Sequence, residues 1–157
     1  MQQTLGTSLD FYAGQAVDRI GVKLGFPFPA GEHLSRLAAE CPQQPRVKAV
    51  LKGMNCHLSG LENQCSALLD KGYPPAYVAK YCLCTVGETV FRMVEAAYAA
   101  GFRLPVVCAG GVMSSQIVRD YVTARLRDVC FVPGQFASDN AIGVAIIAAK
   151  EVGAWPM

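Results

Sequence analysis

Apolar positions recur along most of this chain at the helical period, interrupted by short apolar runs and by glycine and proline. Leu9, Ala13, Ala16, Val17, Ile20 and Leu24 share one face of a helix expected over 8–25. Residues 25–31, rich in proline and glycine, predict a rigid turn. A second helix is expected over 31–41, ended by Pro42 and Pro45. Residues 47–58 hold two strand-like pieces around Lys52-Gly53, the pattern of a hairpin. Ser59, with Glu62 three residues on, has the spacing of a capping box for a helix that runs to Lys71 and stops at Gly72. Pro74-Pro75 opens the longest helix, to about Ala100, with Gly101 as its stop. Val78, Cys82, Val86, Val90, Val94 and Tyr98 repeat along it every four residues, which predicts a central packing helix.

The pattern then changes. Leu104, Val106, Val107 and Cys108 form a short apolar run, read as a strand buried on both faces. Gly110 and Gly111 turn the chain, Ser114 and Ser115 are placed to cap a helix, and Ile117, Val118, Tyr121 and Val122 give that helix its apolar face. Residues 128–132 read as another strand. Ser138 is placed to cap a last helix, 139–152, that is apolar almost all round. Strands alternating with helices predict an α/β, helix-rich fold.

Composition narrows the picture. At 157 residues the chain predicts one domain. No apolar run reaches membrane-spanning length, and the first residues lack the basic and apolar regions of a signal peptide, so no membrane partner is expected. A net charge of +2 with no evident basic stripe argues against an autonomous nucleic-acid binder. Seven cysteines, an odd number with no C-x-x-C pair, predict reduced thiols and a cytoplasmic location.

Three features can carry chemistry. Asp10, Gly14 and Asp18 recur every four residues beside the apolar stripe. Two carboxylates flanking a glycine can hold a sugar hydroxyl or a cation; the same row also suits a solvated face. Gly110-Gly111 ahead of a helix suits a phosphate, or an ordinary strand-to-helix turn. Asp139, beside Asn140, can ligate a metal or complement a helix N-terminus. His33 and His57 have no sequence-local partner and read as surface or packing residues. No G-x-S-x-G or H-E-x-x-H occurs.

Four pieces, taken in order, resemble one family. They are Ser8-Leu9-Asp10 through Ala13-Gly14-Gln15-Ala16-Val17-Asp18-Arg19 with Pro29-Ala30-Gly31; Leu58-Ser59-Gly60-Leu61; Val107-Cys108-Ala109-Gly110-Gly111-Val112; and Ser138-Asp139-Asn140-Ala141. Together they resemble the C-terminal part of the TsaD-type tRNA threonylcarbamoyl transferases, formerly described as glycoproteases or O-sialoglycoprotein endopeptidases. The resemblance implies a lobe of the actin, Hsp70 and sugar-kinase superfamily, a ribonuclease H-like fold, here with an incomplete sheet and without the N-terminal lobe. It implies bacterial tRNA modification, with a divalent metal (iron or zinc) and an adenylate donor used by the family. By the same resemblance Asp10, Gly14 and Asp18 match the first helix motif, and Asp18 stands where the family binds the ribose or carbamoyl adenylate. Gly31 matches a turn glycine at that ligand, Gly110 and Gly111 match the nucleotide loop, and Asp139 matches a metal-binding aspartate.

The sequence also departs from the family's pattern. Phe11 and Gln15 replace acidic residues, Ser115 replaces an asparagine, Glu62 replaces a lysine, and the H-x-x-x-H metal pair has no counterpart. A single aspartate is an incomplete metal site. The expectation is therefore a diverged paralogue, as a fragment or a shortened product, not active alone. No cofactor is expected for this chain alone. Adenine nucleotide is expected to bind weakly, tRNA only in a complete enzyme, and the chain to form a homodimer. The alternative is a non-catalytic nucleotide-binding or protein-interaction module derived from that family.

Overall fold

The computed structural model describes residues 3–134. Helices α1 (Ala13–Lys23) and α2 (Gly31–Ala39) are followed by a hairpin of β1 (Val50–Lys52) and β2 (Asn55–His57). Then come α3 (Ser59–Asp70), α4 (Pro75–Ala99), β3 (Val106–Cys108), a 3-10 turn (Gly111–Ser114), α5 (Gln116–Thr123) and β4 (Val129–Phe131). β1 and β2 pair antiparallel, while β3 and β4 pair parallel across α5, giving two small sheets. The fold is α/β and helix-rich. Among the described residues, no helix is long and apolar enough to cross a membrane.

α4 is the central helix that its four-residue repeat predicts. Its middle, from Cys82 to Thr89, is buried all round, and α1, α2, α3 and α5 all pack on it. A helix sunk that deeply must satisfy its polar side chains internally. The Thr85 and Thr89 hydroxyls donate back to the carbonyls of Tyr81 and Thr85, each at 2.8 Å. Glu88 takes Arg92 Nε at 2.8 Å and the Tyr121 hydroxyl at 3.1 Å. The apolar core is completed by Ile20, Leu34, Leu61, Leu83, Val118 and Val122, each stabilising the fold by roughly 1.5–3 kcal/mol through its burial. α4 ends where expected: Gly101 adopts φ +93°, and the Phe102 amide reaches back to the Ala97 carbonyl at 3.0 Å.

Several expectations change. α1 begins at Ala13, so Leu9 and Asp10 lie outside it. The cause is long-range pairing: Cys56 N–H donates to the Thr7 carbonyl at 3.0 Å and Leu9 N–H to the Cys56 carbonyl at 2.9 Å. Residues 7–9 thus run beside β2, and Leu9 is left 47% exposed. Ser59 is the first residue of α3 and not its side-chain cap, and Glu62 pairs with Arg19 at 3.3 Å instead of closing a capping box. Ser115 precedes α5 but makes no capping bond. β3 is covered on one face only: Cys108 is buried, whereas Val107 is 67% and nearby Leu104 70% exposed. In the pair with β4 it has a packing partner on one side. Of the seven cysteines, Cys130 is exposed, the other six are buried, and none is in a disulfide. The last helix expected, 139–152, lies outside the described residues.

Candidate functional site

A cleft of about 640 Å³ opens where α1, α2 and the turn after β3 meet. α1 contributes Gly14 and Asp18 on one face, four residues apart. α2 contributes Gly31 and Ser35 by the same spacing, together with Glu32 and His33. Gly111 and Ser114 come from the 3-10 turn, Ser115 immediately precedes α5, and Leu83 of α4 also lines the cleft.

Two hydrogen bonds hold the walls at fixed distance. Asp18 Oδ1 accepts the Ala30 amide at 2.8 Å, fastening α1 to the start of α2. The hydroxyls of Ser35 and Ser115 meet at 2.7 Å, fastening α2 to the start of α5. Asp18 keeps Oδ2 without a hydrogen-bond partner among the described residues. The glycines keep the walls thin: a Cβ on Gly14 would come within 3.8 Å of Val112, one on Gly31 within 3.7 Å of Val17, and one on Gly111 would meet only open space. Bare backbone, the carboxylates of Asp18 and Glu32, and hydroxyls are the groups that take sugar hydroxyls and the edges of a polar ring.

Five of the residues singled out from the sequence therefore meet here: Gly14, Asp18, Gly31, Gly111 and Ser115. Gly110 does not line the cleft. Its φ of +105° lets β3 break into the 3-10 turn that carries Gly111. Asp10 lies apart from the cleft, at the N-terminus of α3. It accepts the amides of Leu58 (2.8 Å), Ser59 (3.1 Å) and Phe11 (2.6 Å) and the Ser59 hydroxyl (2.7 Å). His57 Nδ1 stands 3.5 Å from Asp10 Oδ2. Burial pushes the Asp10 carboxyl up, but these hydrogen bonds outweigh it and hold the group well below the usual carboxylate range.

Glu32, His33 and Ser35 are polar cleft residues that sequence reasoning missed. His33 stacks on Phe26, ring centroids 5.5 Å apart, and lines the cleft. Ser35 carries a sequence signal, since it follows Gly31 by one helical turn. A divalent metal does not fit what is described: among the described residues, no three His, Cys, Asp or Glu side chains converge. Asp139 lies outside the described residues.

Known proteins agree on one kinship. The family model for TsaD, tRNA N6-adenosine threonylcarbamoyltransferase, matches residues 2–146. An enzyme of that name from Thermus thermophilus is 30% identical over 148 residues, covering 92% of this chain and 46% of its own length. One from Anaeromyxobacter dehalogenans is 34% identical over 156 residues, covering 90% and 47%. A probable bifunctional tRNA threonylcarbamoyladenosine biosynthesis protein from Thermoplasma volcanium is 29% identical over 132 residues, 81% of this chain and 24% of that one. The chain spans about half the length of the first two relatives. It belongs to the TsaD family of tRNA N6-adenosine threonylcarbamoyltransferases.

Proposed function

We propose that this chain forms one wall of an adenylate-binding cleft, as the C-terminal lobe of an actin- and sugar-kinase-like fold, and that it binds nucleotide without performing threonylcarbamoyl transfer on its own. One observation carries this reading: Gly14, Asp18, Gly31 and Gly111, matched to the family along the sequence, line a single cleft, with Ser115 at the position of the family's asparagine. Asp18 Oδ2 would accept ribose hydroxyls, the Ser35–Ser115 pair would meet the phosphate side, and His33 would face the base. Transfer would further need a metal site, which the described residues do not supply. The role that fits is binding, with tRNA engaged only by a complete enzyme.

The test is a titration of the labelled chain with ATP, followed by amide chemical shifts. The expected result is weak binding, with Kd above about 100 μM, since one wall buries only part of a ligand. The shifts should centre on Gly14, Gly31 and Gly111, and Asp18→Asn should weaken binding several-fold. Shifts confined to other parts of the chain would overturn the site.

A further inference from the structure

Away from the cleft, a hollow of about 310 Å³ lies between α4 and α5, with Gln44 of the segment after α2 on its wall. It shares no lining residue with the cleft. Lys80 and Cys84 reach it from α4, one helical turn apart. Ile117, Tyr121 and Ala124 reach it from α5 by the same kind of spacing. With the Cys84 thiol, which packs as a small hydrophobe, they make most of the wall apolar.

Two cations also line it, Lys80 and Arg125, and neither pairs with a carboxylate among the described residues. Arg125 is held in place: its guanidinium lies 3.7 Å from the centroid of the Tyr121 ring, and Nη1 donates to the Tyr121 carbonyl at 2.9 Å. It follows the last turn of α5, where the helix dipole favours a cation. Lys80 has no such reason. It is half-buried in the second turn of α4, towards the positive end of that helix. Its Nζ donates to the Cys41 carbonyl at 2.6 Å, which directs the side chain but uses one of three donors and leaves the charge unpaired. A neutral donor would serve that carbonyl without the cost of sinking a charge. Burial pushes the Cys84 thiol up, and the Lys80 and Arg125 charges act against it, so both cations stand near the same buried side chain. The carboxylate on the wall, Asp120, accepts Gln116 Nε2 at 2.7 Å. Two cations against one carboxylate suit a monoanion; a phosphate would bring a second negative charge against Asp120.

We propose that this hollow binds a small organic monocarboxylate, with the carboxylate on Lys80 and Arg125 and an apolar body against Ile117, Ala124 and the Tyr121 ring. Its volume stands at the lower end of the roughly 300–1,000 Å³ of small-molecule sites, so the body is a single ring or a short chain. Charge-assisted hydrogen bonds from the two cations orient the head, and burial of the body supplies affinity. The inference does not rest on the nucleotide reading above.

The experiment is a fluorine NMR titration with para-fluorobenzoate, its neutral counterpart para-fluorobenzamide, and inorganic phosphate as competitor. Fluorobenzoate should bind with Kd of about 1 mM or tighter, and the benzamide at least about fivefold more weakly. An excess of phosphate should not displace it. In the isotope-labelled chain, the amides of Cys84, Tyr121 and Ala124 should shift. Lys80→Met should weaken binding at least about fivefold, while Lys71→Met, an equal change of net charge elsewhere, should change it less than about twofold. Ala124→Leu fills the hollow from an exposed position without touching either cation and should weaken binding about tenfold or more. Each variant is checked by its melting temperature, and Ala124→Leu decides the matter if Lys80→Met does not fold. Absence of fluorobenzoate binding at about 10 mM, equal affinity for the benzamide, displacement by phosphate, or an equal loss from Lys71→Met would overturn the proposal. So would shifts centred on Gly14, Gly31 and Gly111, which belong to the cleft. Because ATP binding is read at those cleft amides, failure here leaves the nucleotide reading standing.

Discussion

Asp10 closes the N-terminus of a helix that begins forty-nine residues later: its Oδ2 accepts both the amide and the hydroxyl of Ser59, at 3.1 and 2.7 Å. Helix starts leave their first amides without internal partners. In α3 the capping oxygens come from a distant carboxylate, and its negative charge also suits the positive end of the helix dipole. The Leu58 amide, at 2.8 Å from Oδ1, completes the arrangement.

Asp10→Asn should therefore lower stability by about 1–2 kcal/mol at neutral pH, the usual range for losing a cap. The folded-state carboxyl is held below its ordinary value, so its contribution is fully present above about pH 4 and is lost as pH falls through the lowered pKa. Urea unfolding at pH 7 and near pH 2.5 reads this directly. The gap between wild type and Asp10→Asn should narrow in acid; a gap of constant size would show that charge plays no part.

Gly87 and Tyr121 set the approach of α4 and α5. A Cβ added at Gly87 would lie 2.9 Å from Tyr121 Cβ and Cδ1, closer than packed atoms tolerate. Gly87→Ala should cost about 1–3 kcal/mol, the penalty of overpacking a core. The same contact has a titration signature. Burial first, then the Glu88 carboxylate, pushes the Tyr121 phenol up to about 12. Folding stability tied to it is fully present below pH 10 and lost as pH rises from there towards 12. Ultraviolet titration should find Tyr121 ionising late in the wild type, with Tyr81 also raised by its burial, and the Tyr121 step should move down in Gly87→Ala. Six indistinguishable tyrosines in the wild type would contradict the buried pair.

The open face of β3 predicts self-association. Leu104 and Val107 are 70% and 67% exposed, and an apolar strand of this kind favours contact with a second copy across a two-fold axis. Sedimentation equilibrium should show a monomer–dimer equilibrium that Val107→Lys shifts to monomer. A single monomer mass for the wild type at every concentration would end this idea.

What the sequence determined by itself was local. The four-residue apolar repeat of α4, the stops at Gly72 and Gly101, the Lys52-Gly53 turn and the strand-turn-helix around Gly110 each follow from side-chain period or from a backbone angle that glycine tolerates. Gly14 and Asp18, like Gly31 and Ser35, are one helical turn apart, so each pair was bound to share a face once its helix formed. Which faces would meet was a matter for the tertiary structure. Asp10 continues the same four-residue row on paper. Pairing of residues 7–9 with β2 removes it from α1 and delivers it to α3, because backbone hydrogen bonds to a distant strand outweigh a weak helical tendency. His33 gained a place at the cleft by stacking on Phe26, and Val107 lost its expected cover because β3 packs on one side only. The charge of the whole chain likewise conceals Lys80, half-buried and unpaired among the described residues, since a sum over the sequence carries no information on which cations lack a carboxylate within reach.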